Sequence, residues 1–169
     1  KELEALPSLA LGTCELSMLD FARAYTTLAS GGFKREISFI NKVEDMNGNI
    51  LYENKEKKEA ILNSSLAYIM NENLTSTYNY NFIDYNYPTC HDIKASLTHK
   101  YSIKTGTTDT DHLVFGYNRK IVIGMWSGYD DNKDSELSNG KELRYMWRDI
   151  AENYLKDNEN TWYNIPNNV

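Results

Sequence analysis

The chain has 169 residues, 41% of them hydrophobic and 12% aromatic, which is enough for one folded core and argues against a disordered segment. Its formal net charge of −6 leaves no broad basic surface for nucleic-acid phosphates, so no nucleic-acid partner is expected. No apolar run reaches the roughly 18 residues that cross a bilayer, and no charged-then-apolar leader opens the chain, so any anchor or export signal is expected outside these residues.

Ser17-Met18-Leu19-Asp20 reads as a helix start, with a capping hydroxyl and an acid three positions on. Met18, Leu19, Phe21, Ala22, Tyr25, Leu28 and Ala29 recur at helical spacing until Gly31-Gly32, whose backbone can take the left-handed turn that ends a helix. A helix is therefore predicted over 17–30. Next comes a hairpin: Ile37, Phe39, Ile40 and Val43 in one strand, Ile50, Leu51 and Tyr52 in the return, and Asn47-Gly48 in the turn. The run Lys55-Glu56-Lys57-Lys58 is broken by its glutamate and reads as solvated. Apolar spacing from Ala60 to Leu74 predicts a second helix over 58–74. The stretch 75–99 has no period and is expected to be an irregular connection whose aromatics, Tyr78, Tyr80, Phe82, Tyr85 and Tyr87, favour packing.

Three strands follow, over 101–107, 113–117 and 121–127, with Asn118-Arg119 as a tight turn that makes neighbours antiparallel. The run Ile121 to Trp126 is apolar on both pleat faces and is expected to be a central strand covered by helices. After a polar loop over 130–140, the residues Leu143, Met146, Trp147, Ile150, Ala151, Tyr154 and Leu155 predict an amphipathic helix over 142–156. The tail from Asp157 is expected to fray. The fold class is α+β, an antiparallel sheet packed with helices.

Chemistry concentrates in Lys104-Thr105-Gly106-Thr107-Thr108, at the end of a predicted strand. A phosphate-binding loop needs its glycines before the lysine and a helix after it, so nucleotide binding is disfavoured. An edge strand ending this way presents a cation, hydroxyls and bare backbone at Gly106. Such an edge can add an extended peptide as a further strand, hold a carboxylate, and aim a backbone N–H at an oxyanion.

Other groupings carry less. Cys14 and Cys90 lack metal-ligand spacing; the sequence admits two free thiols or a disulfide, and free thiols are the expectation. His91, His99 and His112 are scattered and read as surface or hydrogen-bonded histidines. Asp109 and Asp111 are expected in a turn without a metal, and Asp130-Asp131-Asn132-Lys133-Asp134 lacks the glycine and glutamate of a calcium loop. Trp126 and Trp147 are expected in the core. Neither a cofactor nor a metal is implied.

With its flanking blocks, the box resembles the later half of the penicillin-binding transpeptidase domain, in particular the bifunctional, class A kind of Gram-positive bacteria. One block runs from Leu9-Ala10-Leu11-Gly12-Thr13-Cys14-Glu15-Leu16-Ser17 through Ala22-Arg23-Ala24-Tyr25 to Gly31-Gly32. A second is Val43-Glu44-Asp45-Met46-Asn47-Gly48 to Leu51-Tyr52-Glu53, and the third runs from Lys104 through Asp111, Gly116-Tyr117 and Gly124-Met125-Trp126 to Gly128-Tyr129-Asp130-Asp131. The resemblance implies a serine acyltransferase with S-x-x-K, S-x-N and K-T-G motifs. Lys104 would lie against the serine of the middle motif. Thr105, Gly106, Thr107 and Thr108 would bind substrate, Thr105 and Thr107 through the terminal carboxylate of a D-Ala-D-Ala stem peptide or a β-lactam, and the Thr107 N–H would be half of the oxyanion hole.

Two departures stand out: Leu113 replaces a usual tryptophan, and the Tyr/Asn-rich stretch replaces a Thr-Gly-Thr type run. The only formal S-x-x-K, Ser138-Asn139-Gly140-Lys141, follows the box in a polar loop, and no S-x-N occurs. Residues 1–169 are therefore expected to be the C-terminal part of such a domain, inactive alone and completed by a missing N-terminal part of the same protein. That part would carry the nucleophile and a membrane anchor, placing the whole outside the cytoplasmic membrane with peptidoglycan and β-lactams as partners. A catalytically inactive sensor-like or structural subdomain is the alternative.

Overall fold

Ser17 does cap a helix: its Oγ accepts the Asp20 N–H at 3.1 Å and donates to the Asp20 carboxylate at 2.7 Å. In the computed structural model, which describes residues 5–12, 14–134, 140–167 and 169, that helix is α1, Met18–Ala29. Gly31 and Gly32, at φ +74° and +103°, end it. The Gly32 carbonyl accepts the N–H groups of Ile61 and Leu62, and a Cβ on Gly32 would lie 2.4 Å from the Leu62 carbonyl oxygen. Glycine is required at that crossing.

The predicted hairpin is shorter than its apolar pattern, and it has a neighbour the pattern did not reveal. Strands β1 (Phe33–Arg35) and β4 (Lys58–Ala60) pair antiparallel outside it, whereas β2 (Lys42–Glu44) and β3 (Ile50–Glu53) form the hairpin proper. Ile37, Phe39 and Ile40 belong to no strand, because the ladder closes where the Asn54 N–H meets the Asn41 carbonyl at 2.8 Å. The predicted second helix likewise begins late. Its first three residues are β4, drawn into the ladder opposite β1, and α2 runs Ser64–Asn73, capped by Asn63 accepting the Ser65 N–H at 2.8 Å.

Residues 74–96 form short 3₁₀ turns, Leu74–Tyr78, Tyr80–Phe82 and His91–Ser96. Of the aromatics expected to pack there, Tyr78 is buried while Tyr80, Tyr85 and Tyr87 are exposed; the Phe82 side chain lies outside the described residues. Beyond them stand β5 (Ser102–Thr107), β6 (His112–Tyr117) and β7 (Val122–Ser127), antiparallel in the order β5-β6-β7, followed by α3 (Lys141–Leu155). Paired residues share a face. On one face Phe115 meets Phe21 and Tyr25 of α1, at ring-centroid distances of 5.4 and 4.6 Å. On the other, α3 buries Leu143, Trp147, Ala151 and Leu155 against Tyr101, Ile103 and Val114. Gly116 makes room for Trp147, since a Cβ there would sit 2.1 Å from Cζ2. The architecture is α+β.

Two expectations are corrected here. The central strand is β6, and the apolar run Ile121 to Trp126 lies at an edge: among the described residues nothing pairs with β7 beyond β6, and it is half-buried because helices cover its faces but no strand covers its side. Nor does the tail fray. His99 Nε2 bonds the Asn158 carbonyl at 3.0 Å, and the Lys100 N–H donates to Asn160 Oδ1 at 3.0 Å. Lys100 Nζ stands 4.4 Å over the Trp162 ring and also binds Glu72. Arg119 holds the Trp162 carbonyl, and Tyr163 donates to the Ala29 carbonyl at 3.0 Å. Polar side chains, which carry no periodic signal, strap this irregular segment down.

Candidate functional site

All five box residues lie at the open end of β5. Lys104, Gly106, Thr107 and Thr108 are exposed and Thr105 is half-buried. The register sets Lys104 against Phe115 and Gly106 against Leu113 on the α1 face, and Thr105 against Val114 and Thr107 against His112 on the α3 face. Which backbone groups are open follows from the alternation of an antiparallel ladder, in which successive residues point both groups toward the partner strand or both away. Tyr101 points away, because its N–H and C=O both go to the Tyr78 hydroxyl. Thr108 points inward, its N–H meeting the Asp111 carbonyl at 3.0 Å. Ile103, Thr105 and Thr107 therefore turn their backbone groups to the open edge. Lys104 Nζ bonds the Thr105 carbonyl on that edge.

An extended chain laid along β5 would thus meet N–H groups at Thr105 and Thr107 that have no partner among the described residues, with an ammonium on one side and two hydroxyls on the other. Gly106 has no steric partner that demands glycine: a Cβ there would stand 3.5 Å from Leu113 Cβ, an ordinary contact. Its bareness is left facing solvent. Two cavities of about 560 and 640 Å³ lie elsewhere, one between Ser30, Tyr68, Arg119 and Tyr163, the other around Arg35, Asn41 and Glu53, and neither is lined by residues 104–108.

The turn expected at Asp109 and Asp111 follows the box, and Asp111 holds it. Asp111 Oδ2 accepts from Thr110 Oγ1 at 2.9 Å and Thr108 Oγ1 at 3.2 Å, and Oδ1 accepts the Trp126 indole N–H at 2.9 Å. Donation from Thr110 and then Trp126 holds its carboxyl below the usual carboxylate range. The spacing Thr108-x-x-Asp111 is the local signal for the bracing role of Asp111 within that turn. Trp126 is accordingly not in the core. It is 43% exposed, cross-strand from Leu113, and oriented by Asp111, whereas Trp147 is fully buried as expected.

The histidines stay apart. His99 is satisfied by Thr98 Oγ1 at 2.8 Å and the Asn158 carbonyl, and His91 Nδ1 lies 3.1 Å from the Pro88 carbonyl. His112 departs from expectation: it is buried, and its Nδ1 has no hydrogen-bond partner among the described residues. No group of three or more potential metal ligands occurs among the described residues. Cys14 and Cys90 are free thiols, and burial pushes the Cys90 thiol up to about 11. Ser138 lies outside the described residues.

Comparison with known proteins bears on this arrangement. The family profile of the penicillin binding protein transpeptidase domain matches residues 3–140. Penicillin-binding protein 2D of Bacillus subtilis (strain 168) is 36% identical over 170 residues, covering 99% of this chain and 24% of that protein. Penicillin-binding protein 1A of Aquifex aeolicus (strain VF5) is 29% identical over 170 residues, covering 94% of this chain and 21% of that protein. The crystal structure of penicillin-binding protein 1A from Haemophilus influenzae matches with a TM-score of 0.80 at 22% identity, over 97% of this chain and 30% of that one, and shows the same fold. The chain spans about a quarter of the length of the curated relatives it matches.

Proposed function

The chain belongs to the penicillin-binding protein transpeptidase domain family, and from that premise we propose that it is the later part of a serine acyltransferase that cross-links peptidoglycan and is acylated by β-lactams. All 169 residues then lie after the S-x-x-K and S-x-N motifs. A preceding part of the same protein supplies the nucleophilic serine and the anchor that holds the enzyme outside the cytoplasmic membrane. This chain supplies the wall against which the substrate lies, and it has no acyl-transfer activity alone.

The observation that carries the reading is the open edge of β5. An acyl donor ending in a free carboxylate needs an anchor for that carboxylate and a donor for the oxygen that becomes negative when serine attacks. The Thr105 and Thr107 hydroxyls fit the first task, with Lys104 supplying positive potential and standing against the serine of the middle motif. The Thr107 N–H, turned outward and unpaired, fits the second; one such donor is worth about 3 kcal/mol in a transition state. Gly106 and Thr108 bound the strip along which the extended peptide lies.

A missing companion also accounts for surface that the chain does not cover. Edge strand β7 is apolar, and Met146, Ile150 and Tyr154 form an exposed stripe at i, i+4, i+8 on α3 beside the buried one.

Labelling of the full-length protein with a fluorescent penicillin tests the proposal. The adduct is expected on a serine before Lys1, and the chain of residues 1–169 by itself is expected to stay unlabelled. An adduct mapped within residues 1–169 overturns the assignment of the nucleophile. A full-length protein that takes no label overturns the acyltransferase reading in favour of an inactive relative.

A further inference from the structure

We infer that Asp111 is a positioning residue for the box, fastening the turn after Thr107 to the end of β7 and thereby fixing where the Thr107 N–H points. This rests on the reading of β5 as a substrate wall. Three strand ends converge on one carboxylate. Its Oδ2 takes the hydroxyls of Thr108 and Thr110 from the β5 side, and its Oδ1 takes the Trp126 indole from β7. The backbone closes the same unit, because Thr108 Oγ1 accepts the N–H groups of Asp111 at 2.9 Å and Thr110 at 3.2 Å. Gly128 completes it: a Cβ there would lie 2.5 Å from Asp111 Oδ1 and 2.7 Å from Trp126 Cζ2, so the carboxylate and indole meet only over a glycine.

The effect reaches the box through one peptide plane. Thr107 C=O and Thr108 N–H belong to the same rigid unit. Holding the Thr108 N–H on the Asp111 carbonyl keeps that plane, and with it the outward turn of Thr107, in register. A carboxylate suits the position better than an amide. Thr108 Oγ1 already accepts two N–H groups, so its proton goes to Asp111 Oδ2 at 3.2 Å or to Thr110 Oγ1 at 3.4 Å, and Thr110 Oγ1 in turn donates to the same Oδ2; this oxygen thus serves as a pure acceptor for the hydroxyls, as Oδ1 does for the indole N–H. An asparagine could serve Trp126 through its oxygen only by turning its NH₂ toward Thr108, donor against donor.

The test uses the full-length protein with Asp111→Ala, Asp111→Asn and Trp126→Phe. Two measurements are made: the rate of acylation by a fluorescent penicillin at saturation, and amide hydrogen exchange along the chain. Asp111→Ala is expected to slow acylation about 10- to 100-fold, with faster exchange confined to 104–111 and 126–128. Asp111→Asn should fall between it and wild type, and Trp126→Phe should act in the same direction more weakly. Unchanged exchange over 104–108 in Asp111→Ala overturns the inference, as does wild-type acylation by that variant. Faster exchange throughout the sheet also overturns it, since that marks a general loss of stability. Should the wild type take no penicillin, the acyltransferase reading fails, and the exchange pattern still decides the role of Asp111.

Discussion

The two ends of strand β5 share one edge and treat it in opposite ways. At the first end the Tyr78 hydroxyl fills the gap, donating to the Tyr101 carbonyl at 2.6 Å and accepting its N–H at 3.2 Å, and Tyr101, Ser102 and Ile103 are fully buried. At the other end Thr105 and Thr107 present the same kind of backbone group to solvent, and exposed polar side chains surround them. An unpaired sheet edge is normally blocked, because it invites another strand. Here one end is closed by a side chain and the other is open, and the proposed substrate wall lies at the open one.

Removing the open donor should have the largest functional effect. Thr107→Pro deletes an N–H that has no partner among the described residues, and proline is tolerated where an edge N–H faces solvent. In the full-length protein we expect penicillin acylation to fall about 10²- to 10³-fold while the thermal unfolding midpoint stays within a few degrees of wild type. Equal loss of both would mean that this N–H is paired. Lys104→Ala should likewise cut acylation by on the order of 100-fold, and near-normal labelling would remove it from the site.

The closed end should respond in stability instead. Trp147, fully buried against Tyr101 and Gly116 and donating its N–H to the Ile123 carbonyl at 3.1 Å, should cost about 3–5 kcal/mol as Trp147→Ala in denaturant unfolding. Tyr78→Phe keeps the ring and removes the hydroxyl that closes the edge. It should cost about 1–3 kcal/mol, with hydrogen exchange at Tyr101 rising most; an unchanged Tyr101 amide would mean that solvent already reaches it.

The smallest expected effect lies in the strap. Burial alone would raise the Glu72 carboxyl, but hydrogen bonds from Lys100 and Trp162 outweigh it and leave the group below its usual range. A carboxyl depressed in the folded state contributes stability above its unfolded value and loses it as pH falls through the folded one. The stability gap between wild type and Glu72→Gln should therefore be constant near neutrality and close below about pH 4. A gap that persists in acid would show that Glu72 acts through packing rather than charge.

Local signals were read correctly where a residue's own neighbours decide its conformation. Ser17 and Asp20 start a helix, Asn47-Gly48 turns a hairpin, and Asn118 receives the Lys120 and Ile121 N–H groups in the tight turn before β7. They misled where a distant partner decides. Lys58–Ala60 has helical spacing yet pairs with β1, Ile37 to Ile40 has strand spacing and no opposing strand, and Trp126 looks like core yet serves Asp111. The tail from Asp157 lacks any apolar period, and its order comes from contacts with residues that are remote in sequence, Ala29, Glu72, His99 and Arg119 among them.

By itself, then, the sequence determined the α+β class, the three-strand meander and the composition of the strand end at Lys104 to Thr108, because period, turn chemistry and residue type are short-range properties. Only the tertiary structure decided which backbone groups of this edge are open, that Tyr78 closes its other end, and that Asp111 holds the turn beyond it. Each of these depends on which backbone hydrogen bonds are already taken, and the takers lie on other elements of the chain.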